Sequence, residues 1–566
     1  MPRKSANPED LRTRLAELSG WQTATRDDAA VAEELYETRA MDRVYPLNTA
    51  SFFDELFQYI REIGTWPLLE GLDPKTRVGA SYEFIQFVLL TIMRCVGGVQ
   101  SMLAMHDVVL TDEALMALLG FNAAQIQQGS NDRGLGQRTR PVEVRGPLSY
   151  ETIADNIVEV GVEKLAAMFN GAIRCLAVAG MLPKKIDVLL DATDDEATPS
   201  YVMDKDGDVL PSVTREKRPD VRANKHARKV KVTVFGWKIW LVFEPTSELP
   251  LAMTIDGINV SDNEHAFEVL AQARTNVEGH ATIRSVALDR GFLDGKLLSR
   301  ICEEAKAIVY IPAKSNMTIT ADAREIARRA EALAAQGKTL DGATYKERTE
   351  KVMHGSGKKA TVEKRTTTVV RIRDMACDWW TKEGSTSAAS SKTFQPKLVN
   401  ATVVLRWDGA PKDAEKEVVI LDTDPADDPF TGFDHYDDRS LIENTCNREA
   451  KESWFLEHHP KRSEAGVRTQ AYFVFTCMAL VTAFRQHMQA VEAAEINGEE
   501  TGITRFRRHL EARNRNRVII FCGDHFGIFR NYEAFLLVGV TMRERHLMNE
   551  SAQTVLARYQ AKRNST

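Results

Sequence analysis

The chain has 566 residues, of which 43% are hydrophobic and 27% charged, and its 74 Lys and Arg against 80 Asp and Glu give a net charge of −6. These values exclude a disordered or fibrous chain and predict a globular protein of about three or four domains. The longest apolar runs, residues 84–93 and 473–484, are shorter than the ~20 residues that span a bilayer. No apolar segment typical of a signal peptide follows the first residues. We therefore expect no membrane segment and a cytoplasmic location.

The cysteines are scattered along the chain and form no C-x-x-C pair. Such spacing argues against a disulfide framework and against a thiolate zinc site. We expect them to fill the core as small apolar residues: Cys95, Cys175, Cys302, Cys377, Cys446, Cys477 and Cys522.

Basic residues are concentrated in three segments, although the chain as a whole is slightly acidic. Residues 215–231 carry eight Lys and Arg against two acids, residues 505–517 carry six Arg against one Glu, and residues 358–373 carry six bases. One such cluster is usually a solvated surface. Three of them favour a phosphate-backbone ligand.

The predicted elements begin with helices, because apolar residues recur at helical spacing in residues 52–63, 82–96 and 111–121. This helical region, residues 1–144, ends in a Gly/Arg-rich linker. Few basic residues lie between residues 50 and 120, so packing or dimerisation is one expected role of this region. Residues 148–180 then predict one or two amphipathic helices ending at Gly180.

An alternation of strands and helices follows in residues 145–314. Residues 184–193 predict a buried strand ending near Asp191, and residues 230–244 and 251–257 predict two strands joined by a turn. Ser261 and Glu264 have the spacing of a capping box at a helix start. After this helix, a further strand, a second helix and a last strand are predicted in chain order. This order is typical of an α/β ribonuclease H-like core, a mixed sheet whose first three strands are antiparallel and whose next strands are parallel.

The rest of the chain divides into three predicted parts. Residues 315–416 lose the alternation and read as a β-rich insertion domain. Residues 417–490 return to the core with a strand and helices. Residues 491–566 are predicted to form a basic helical region that contacts DNA or mediates oligomerisation.

Two strand-end acids, Asp191 and Asp289, and one helical acid, Glu443, lie on three neighbouring elements of this scheme. Carboxylates arranged in this way hold two divalent cations in phosphoryl transfer, and Mg²⁺ suits oxygen ligands. The alternative for each of them is a helix cap or a surface group. Of the nearby acids, Asp187 is predicted either to support the ligands from behind or to be structural, and Asp194, Asp195 and Asp294 are predicted to be loop or cap residues.

Three segments, LLDAT, LDRGFLD and YDDRSLIEN, resemble the catalytic segments of insertion-sequence transposases of the DDE type, which carry a Y-(2)-R-(3)-E-(6)-K signature. Tyr436, Arg439 and Glu443 match its first three positions. Ala450 stands where the lysine is expected, and Lys451 follows it. The resemblance extends from about residue 145 to 490.

This resemblance implies a metal-dependent DNA transposase. Asp191, Asp289 and Glu443 are then the catalytic residues and hold two Mg²⁺ or Mn²⁺ ions, one of which activates the water that frees a 3′-hydroxyl at an element end. The same site joins that hydroxyl to target DNA. The implied partners are the terminal inverted repeats, target DNA and a second copy of the chain in the DNA complex, in the nucleoid of a prokaryotic host. For the helical region, residues 1–144, the resemblance implies binding of a DNA end as the alternative to dimerisation. No nucleotide cofactor is implied.

The predicted DNA contacts are of several kinds. Arg439 and Lys451 are expected at phosphates, with Arg448 as a substitute for the displaced lysine. Tyr436 is expected either at a phosphate or in packing, and Trp379 either on a displaced base or, as we favour, in a β-rich core. The remaining candidates are Lys238, Arg228 and Lys229.

Two other functions stay open at this stage. The first is a ribonuclease H-like nuclease that hydrolyses DNA without strand transfer. The second is a transposase-derived DNA-binding protein that does not cleave. The complete set of three acids argues against the second function.

Overall fold

The computed structural model describes residues 25–75, 82–128, 148–197, 209–217, 230–354, 361–381, 396–409, 416–491, 516–539, 554–556 and 558. The chain divides into two compact units. One is the continuous segment Leu176–Ser453, and the other combines Met1–Cys175 with Trp454–Thr566. The five-part division expected from the sequence stays a prediction.

In the described residues the strands follow each other as β1 (Arg43–Pro46), β2 (Lys185–Glu196), β3 (Ser212–Lys217), β4 (Val230–Glu244), β5 (Leu249–Gly257), β6 (Thr282–Leu288), β7 (Ile308–Pro312), β8 (Ala343–His354), β9 (Thr361–Thr381), β10 (Pro396–Asp408), β11 (Lys416–Asp422), β12 (Arg517–Cys522) and β13 (His525–Arg530).

The helices of the same residues are α1 (Asp28–Thr38), α2 (Ser51–Glu62), α3 (Trp66–Glu70), α4 (Phe84–Val96), α5 (Met105–Val108), α6 (Glu113–Leu118), α7 (Ala123–Gln128), α8 (Tyr150–Ile157), α9 (Val162–Val178), α10 (Ala266–Val277), α11 (Gly295–Glu303), α12 (Thr318–Ala334), α13 (Pro429–Asp437), α14 (Arg439–Leu441), α15 (Arg448–Glu452), α16 (Glu464–Val491) and α17 (Asn531–Leu537). A π-helical turn, Ile442–Asn447, joins α14 to α15.

The continuous unit has the predicted ribonuclease H-like architecture. Strand β4 pairs antiparallel with β2 on one side and with β5 on the other, while β6 pairs parallel with β2, and β7 parallel with β6. Val188, Leu190 and Val286 in the central strands are buried. The crossover helices α10 and α11 lie between the parallel strands in the chain, which is why apolar runs and amphipathic segments alternate there.

Strand β2 is longer than predicted. Its last residues pair with β4, where Glu196 lies opposite Gly236. A Cβ on Gly236 would lie 2.2 Å from the Asp195 carbonyl oxygen, so this position requires glycine. The predicted end near Asp191 was wrong because the polar residues beyond it lack apolar alternation and are held by a distant partner. Asp194 and Asp195, expected in loop or cap positions, are therefore strand residues.

The residues predicted as an insertion contribute α12 and the strands β8, β9 and β10. The hydrogen-bonded order of the sheet is β3-β4-β2-β6-β7-β11-β10-β9-β8, with β5 on β4. Strand β11 pairs antiparallel with both β7 and β10. The Thr/Val-rich strands therefore continue the core sheet.

Two local predictions about helix starts have different outcomes. Asp294 caps α11, since its side chain accepts a hydrogen bond of 2.8 Å from the Leu297 backbone N–H. The capping box at Ser261 was wrong, because α10 begins only at Ala266 and has no side-chain cap. The Glu264 N–H instead donates to the Ser261 carbonyl, so these residues form a turn that precedes the helix.

The discontinuous unit contains a three-stranded sheet in the order β1-β12-β13. The prediction of a helical C-terminal region therefore missed a β-hairpin, which pairs with a strand more than 470 residues earlier, Val44 lying opposite Ile520. Five of the seven cysteines are buried as expected, and Cys175 and Cys302 are partly buried.

One helix of this unit is longer than its apolar run suggested. Residues Glu464–Ala490 are long and apolar enough to cross a membrane by length and composition, but 89% of their most apolar window is buried inside the protein. A core helix can have the same length and apolar composition as a helix that crosses a membrane.

Candidate active site

The three predicted acids line one open cleft of about 540 Å³ in the continuous unit. Leu190 of β2 pairs with Leu288 of β6, so Asp191 and Asp289 directly follow paired residues of two parallel strands. Glu443 reaches the same cleft from the π-helical turn. The fold thus brings together acids that are 98 and 154 residues apart in the sequence.

Asp191 is the most enclosed of the three acids. Burial raises its pKa to about 7, and the negative charges of Glu443 and Asp289 act in the same direction against the Ala192 backbone N–H and Arg439. The side chains of Asp289 and Glu443 are 39% and 52% exposed. The effect of Glu443 and Asp289 on the pKa of Asp191 indicates that the three acids share one electrostatic site.

Arg439 lies beside two of these acids. Its Nη1 donates a hydrogen bond of 2.9 Å to Glu443 Oε1 and lies 4.0 Å from Asp289 Oδ1. Burial lowers the pKa of this guanidinium, but the hydrogen bond and the surrounding negative charges outweigh it and raise the pKa overall. Arg439 is therefore the positive charge nearest to the acids within the described site.

Tyr436 lies under Arg439, whose guanidinium carbon is 5.8 Å from the centre of the tyrosine ring. The ring also packs against the apolar cluster that contains Phe430 and Phe433. Burial raises the pKa of its hydroxyl. These contacts agree with the packing alternative and leave a phosphate contact as a prediction.

The π-helical turn accounts for the displaced lysine. Each turn of this kind contains one residue more than an α-helical turn, so residues beyond it are shifted by one position. Ala450, at the expected lysine position, is fully buried, whereas Lys451 lines the cleft and donates a hydrogen bond to the Asp194 carbonyl. The inserted residue thus returns the lysine to the face that carries Glu443.

Asn447 is a site residue that the sequence analysis did not identify. Its Nδ2 donates a hydrogen bond of 3.2 Å to Asp191 Oδ2, and the residue is 7% exposed. The sequence could have identified it, because Asn447 is four residues after Glu443 and residues four apart lie on the same face of a helix.

The rest of the cleft is mostly acidic. Lys238, a predicted DNA contact, donates a hydrogen bond of 2.6 Å to Asp262 and is largely buried by it. Asp194 pairs with Arg215 at 2.5 Å. Besides the residues already named, the lining includes Glu196, Asp262, Arg448 and Glu452.

Other predicted residues have separate positions. Asp187 accepts hydrogen bonds from Arg284 and Ser285, which agrees with a structural role. Trp379 is partly buried, and its ring centre is 6.0 Å from that of the buried Trp380. Arg228 and Lys229 lie outside the described residues, as do most of the first two basic segments.

The third basic segment is less available to DNA than its composition suggested. Arg371 is 1% exposed and pairs with Asp422. Arg365 pairs with Asp408, and Arg373 with Asp427. Their charges are already balanced by acids of the same unit, which a count of bases along the sequence does not reveal.

The donor set fits a divalent cation. Carboxylates are the ligands that Mg²⁺ prefers, and the buried Asn447 Oδ1 accepts no hydrogen bond from the described residues. No group of three or more His, Cys, Asp and Glu among those residues is arranged to hold one ion. Mg²⁺ is commonly bound through one or two carboxylates and several waters, so two acids per ion are sufficient.

Comparison with known proteins identifies a family and finds similar solved structures. Residues 183–480, just over half of the chain, match the family model described as Transposase DDE domain. No curated protein matches the chain. Among solved structures, the cryo-EM structure of the piggyBac transposase synaptic complex with hairpin DNA matches with 12% identity over 86% of this chain and 80% of that one. The TM-score is 0.35, too low to support an inference.

Proposed function

The chain belongs to the family of transposases with a DDE domain, and we propose that it is the transposase of an insertion sequence that cuts the element's ends and joins each 3′-hydroxyl to target DNA. The observation that carries this proposal is the convergence of Asp191, Asp289 and Glu443 on one cleft. Transposases of this family use divalent metal ions. Two Mg²⁺ or Mn²⁺ ions, when bound, would stabilise the attacking and leaving oxygens of a phosphodiester.

Each side chain has a distinct part in this proposal. Asp191, Asp289 and Glu443 hold the cations, and Asn447 orients Asp191 by its hydrogen bond. Arg439, which binds Glu443 in this structure, would transfer its planar donor set to a DNA phosphate. Lys451 and Arg448, on the cleft wall, would bind the neighbouring phosphates.

Further elements of the proposal rest on the resemblance and on charge. Lys238, Arg228 and Lys229 are proposed to contact the DNA backbone, and Tyr436 to support Arg439 or bind a phosphate. For Trp379 the two alternatives remain packing in the core, which its partly buried position beside Trp380 favours, and stacking on a displaced base. The proposed assembly with DNA is a homodimer, and the proposed location is the nucleoid in the cytoplasm of a prokaryotic host.

The proposal is tested with a labelled duplex that carries the element's own end, together with a target duplex and Mg²⁺ or Mn²⁺. We expect the wild-type chain to nick at the element boundary and to join the end to the target. Asp191→Asn, Asp289→Asn and Glu443→Gln should each reduce both products below detection, because each removes a charged oxygen ligand. Their binding to the duplex in the absence of metal should remain near the wild-type level.

The control for a local effect is Asp187→Asn, which changes a neighbouring acid on the same strand. It should retain cleavage. Cleavage without joining by the wild type would favour the nuclease, and wild-type activity in the three variants would show that the acids are wrongly assigned.

A further inference from the structure

Asn447 has one satisfied and one unsatisfied polar atom. Its Nδ2 donates to Asp191 Oδ2 at 3.2 Å, and its Oδ1 is buried without a donor among the described residues. Asp191 Oδ2 accepts the hydrogen bond from Nδ2 in this orientation, which leaves Oδ1 as the atom without a donor. A buried acceptor without a partner destabilises the fold. An acceptor of this kind at the wall of a cleft points to a ligand for that oxygen.

The cleft itself indicates the chemistry of that ligand. The described lining carries seven acidic side chains, namely Asp191, Asp194, Glu196, Asp262, Asp289, Glu443 and Glu452, against two basic ones, Arg448 and Lys451. Arg215, Lys238 and Arg439 pair with Asp194, Asp262 and Glu443, so the acids still outnumber the bases. This excess of negative charge attracts a cation, and a bound cation would offset it for a DNA phosphate. An amide oxygen is a ligand that Mg²⁺ and Mn²⁺ accept, and it adds no further negative charge.

The helix geometry brings Asn447 to the same face as a proposed ligand. Glu443 and Asn447 are the second and the last residue of the π-helical turn, and both line the cleft. Turns of this kind are frequent at functional sites, where they re-aim side chains. Asn447 therefore contacts an acid of the sheet, Asp191, from the same helical turn that carries Glu443.

We propose that Asn447 is a fourth protein ligand of the active site, whose Oδ1 coordinates the cation held by Asp191 while its Nδ2 orients that carboxylate. This inference rests on the proposed function, since it assumes a divalent cation in the cleft. It adds a neutral oxygen donor to the three acids of the signature.

The test is the affinity of the full chain for Mn²⁺ without DNA, measured by calorimetry and by the electron paramagnetic resonance signal of free Mn²⁺. Asn447→Leu, of similar volume, should weaken Mn²⁺ binding about 10- to 100-fold. Asn447→Asp retains an oxygen in place of Oδ1 but loses the donor to Asp191, and it should bind Mn²⁺ at least as tightly as wild type. Asn444→Leu, an exposed residue of the same turn, is the matched control and should leave the affinity unchanged.

The outcomes separate this inference from the proposed function. Wild-type affinity in Asn447→Leu would overturn the inference, and so would an Asn447→Asp variant as weak as Asn447→Leu, because the residue would then only orient Asp191. Asp191→Asn is measured in parallel. If that variant binds Mn²⁺ like wild type, or if wild type binds none, the proposed metal site itself fails. Thermal unfolding in EDTA verifies that each variant is folded.

Discussion

Arg439 supplies positive charge to two of the proposed ligands in this structure. Its hydrogen bond to Glu443 is 2.9 Å long, and Asp289 lies 4.0 Å from the same nitrogen. A divalent cation placed there must coexist with the guanidinium or displace it. The same side chain is proposed to bind DNA, so its two partners compete for it.

This competition predicts that Arg439→Gln changes Mn²⁺ affinity and cleavage of the element end in opposite directions. Removal of a positive charge about 4 Å from a half-exposed site should tighten Mn²⁺ binding roughly thirtyfold, since the repulsion between a single and a double positive charge at that distance is worth about 2 kcal/mol in water. Cleavage of the element end should nevertheless fall about 10- to 100-fold, because a charge-assisted hydrogen bond to phosphate is lost. Calorimetry and the cleavage assay measure the two effects.

Arg439→Lys is the control for the prediction on Arg439, because it keeps the charge and loses the planar donor set. It should leave Mn²⁺ affinity near wild type and still lower cleavage. Weaker Mn²⁺ binding in Arg439→Gln would contradict the competition.

Asp187 shows how a neighbouring acid differs from the proposed ligands. Burial raises its pKa, but hydrogen bonds from Arg284 and Ser285 and the charges of His435 and Arg284 outweigh it, so the pKa is lowered overall. A lowered folded-state pKa gives stability above the unfolded value of about 3.9, and this stability is lost as the pH falls through the folded value.

We therefore expect Asp187→Asn to lower the free energy of unfolding at pH 7 by about 1–2 kcal/mol, less than a fully buried charged hydrogen bond because the side chain is 30% exposed. The difference from wild type should shrink as the pH is lowered below about 4. Urea denaturation between pH 3 and pH 7 measures both. A difference that is independent of pH would show that the charge of Asp187 is not responsible.

At the level of elements, strand β9 connects the predicted insertion to the core through a buried ion pair. Arg371 donates hydrogen bonds of 2.8 and 3.1 Å to Asp422 of β11 and one of 2.9 Å to the Asp424 carbonyl. Both side chains are at most 1% exposed. The pair joins two strands that are separated by β10 in the sheet order.

Arg371→Met should lower the free energy of unfolding by about 3–5 kcal/mol, because it leaves the Asp422 carboxylate buried and unpaired. Arg365→Met is the matched control on the same strand. Arg365 also binds an aspartate with two hydrogen bonds, but it is 23% exposed and its partner Asp408 is 29% exposed. This control should cost about 0–1 kcal/mol. Equal losses in urea denaturation would contradict the importance of burial.

At the level of the whole molecule, the discontinuous unit depends on both ends of the chain. The C-terminal hairpin contributes buried side chains to its cluster with Leu35 and Val44. These side chains are Val518, Ile520, Cys522 and Phe529. The C-terminal region is therefore part of the core of this unit and is not a separate basic tail.

Deletion of residues 517–566 should therefore prevent this unit from folding. The seven buried Val, Ile and Phe side chains of the hairpin, at about 1.5–3 kcal/mol each, equal or exceed the net stability of about 5–15 kcal/mol of a typical domain. Limited proteolysis should digest the unit in the truncated chain. Deletion of only residues 559–566 is the control, because it retains the buried Leu556, and it should leave the digestion pattern unchanged. Protection of the first truncation would contradict the dependence.

The sequence by itself determined the order of the core strands and helices and the three acids. Apolar periodicity is a local property, and it correctly predicted β2, β4, β5, β6 and β7 as well as the helices between them. The spacing of Tyr436, Arg439 and Glu443 is also local, which is why a signature within one helical segment located the acid.

Tertiary structure alone decided the features that depend on distant partners. The end of β2 is set by pairing with Gly236, the predicted insertion joins the core sheet through β11, and β12 pairs with β1 across the length of the chain. The π-helical turn directs Lys451 to the cleft, although the sequence of that segment predicts an ordinary helix. Backbone hydrogen bonds between strands and the burial of polar groups depend on residues hundreds of positions apart, and no local pattern specifies such partners.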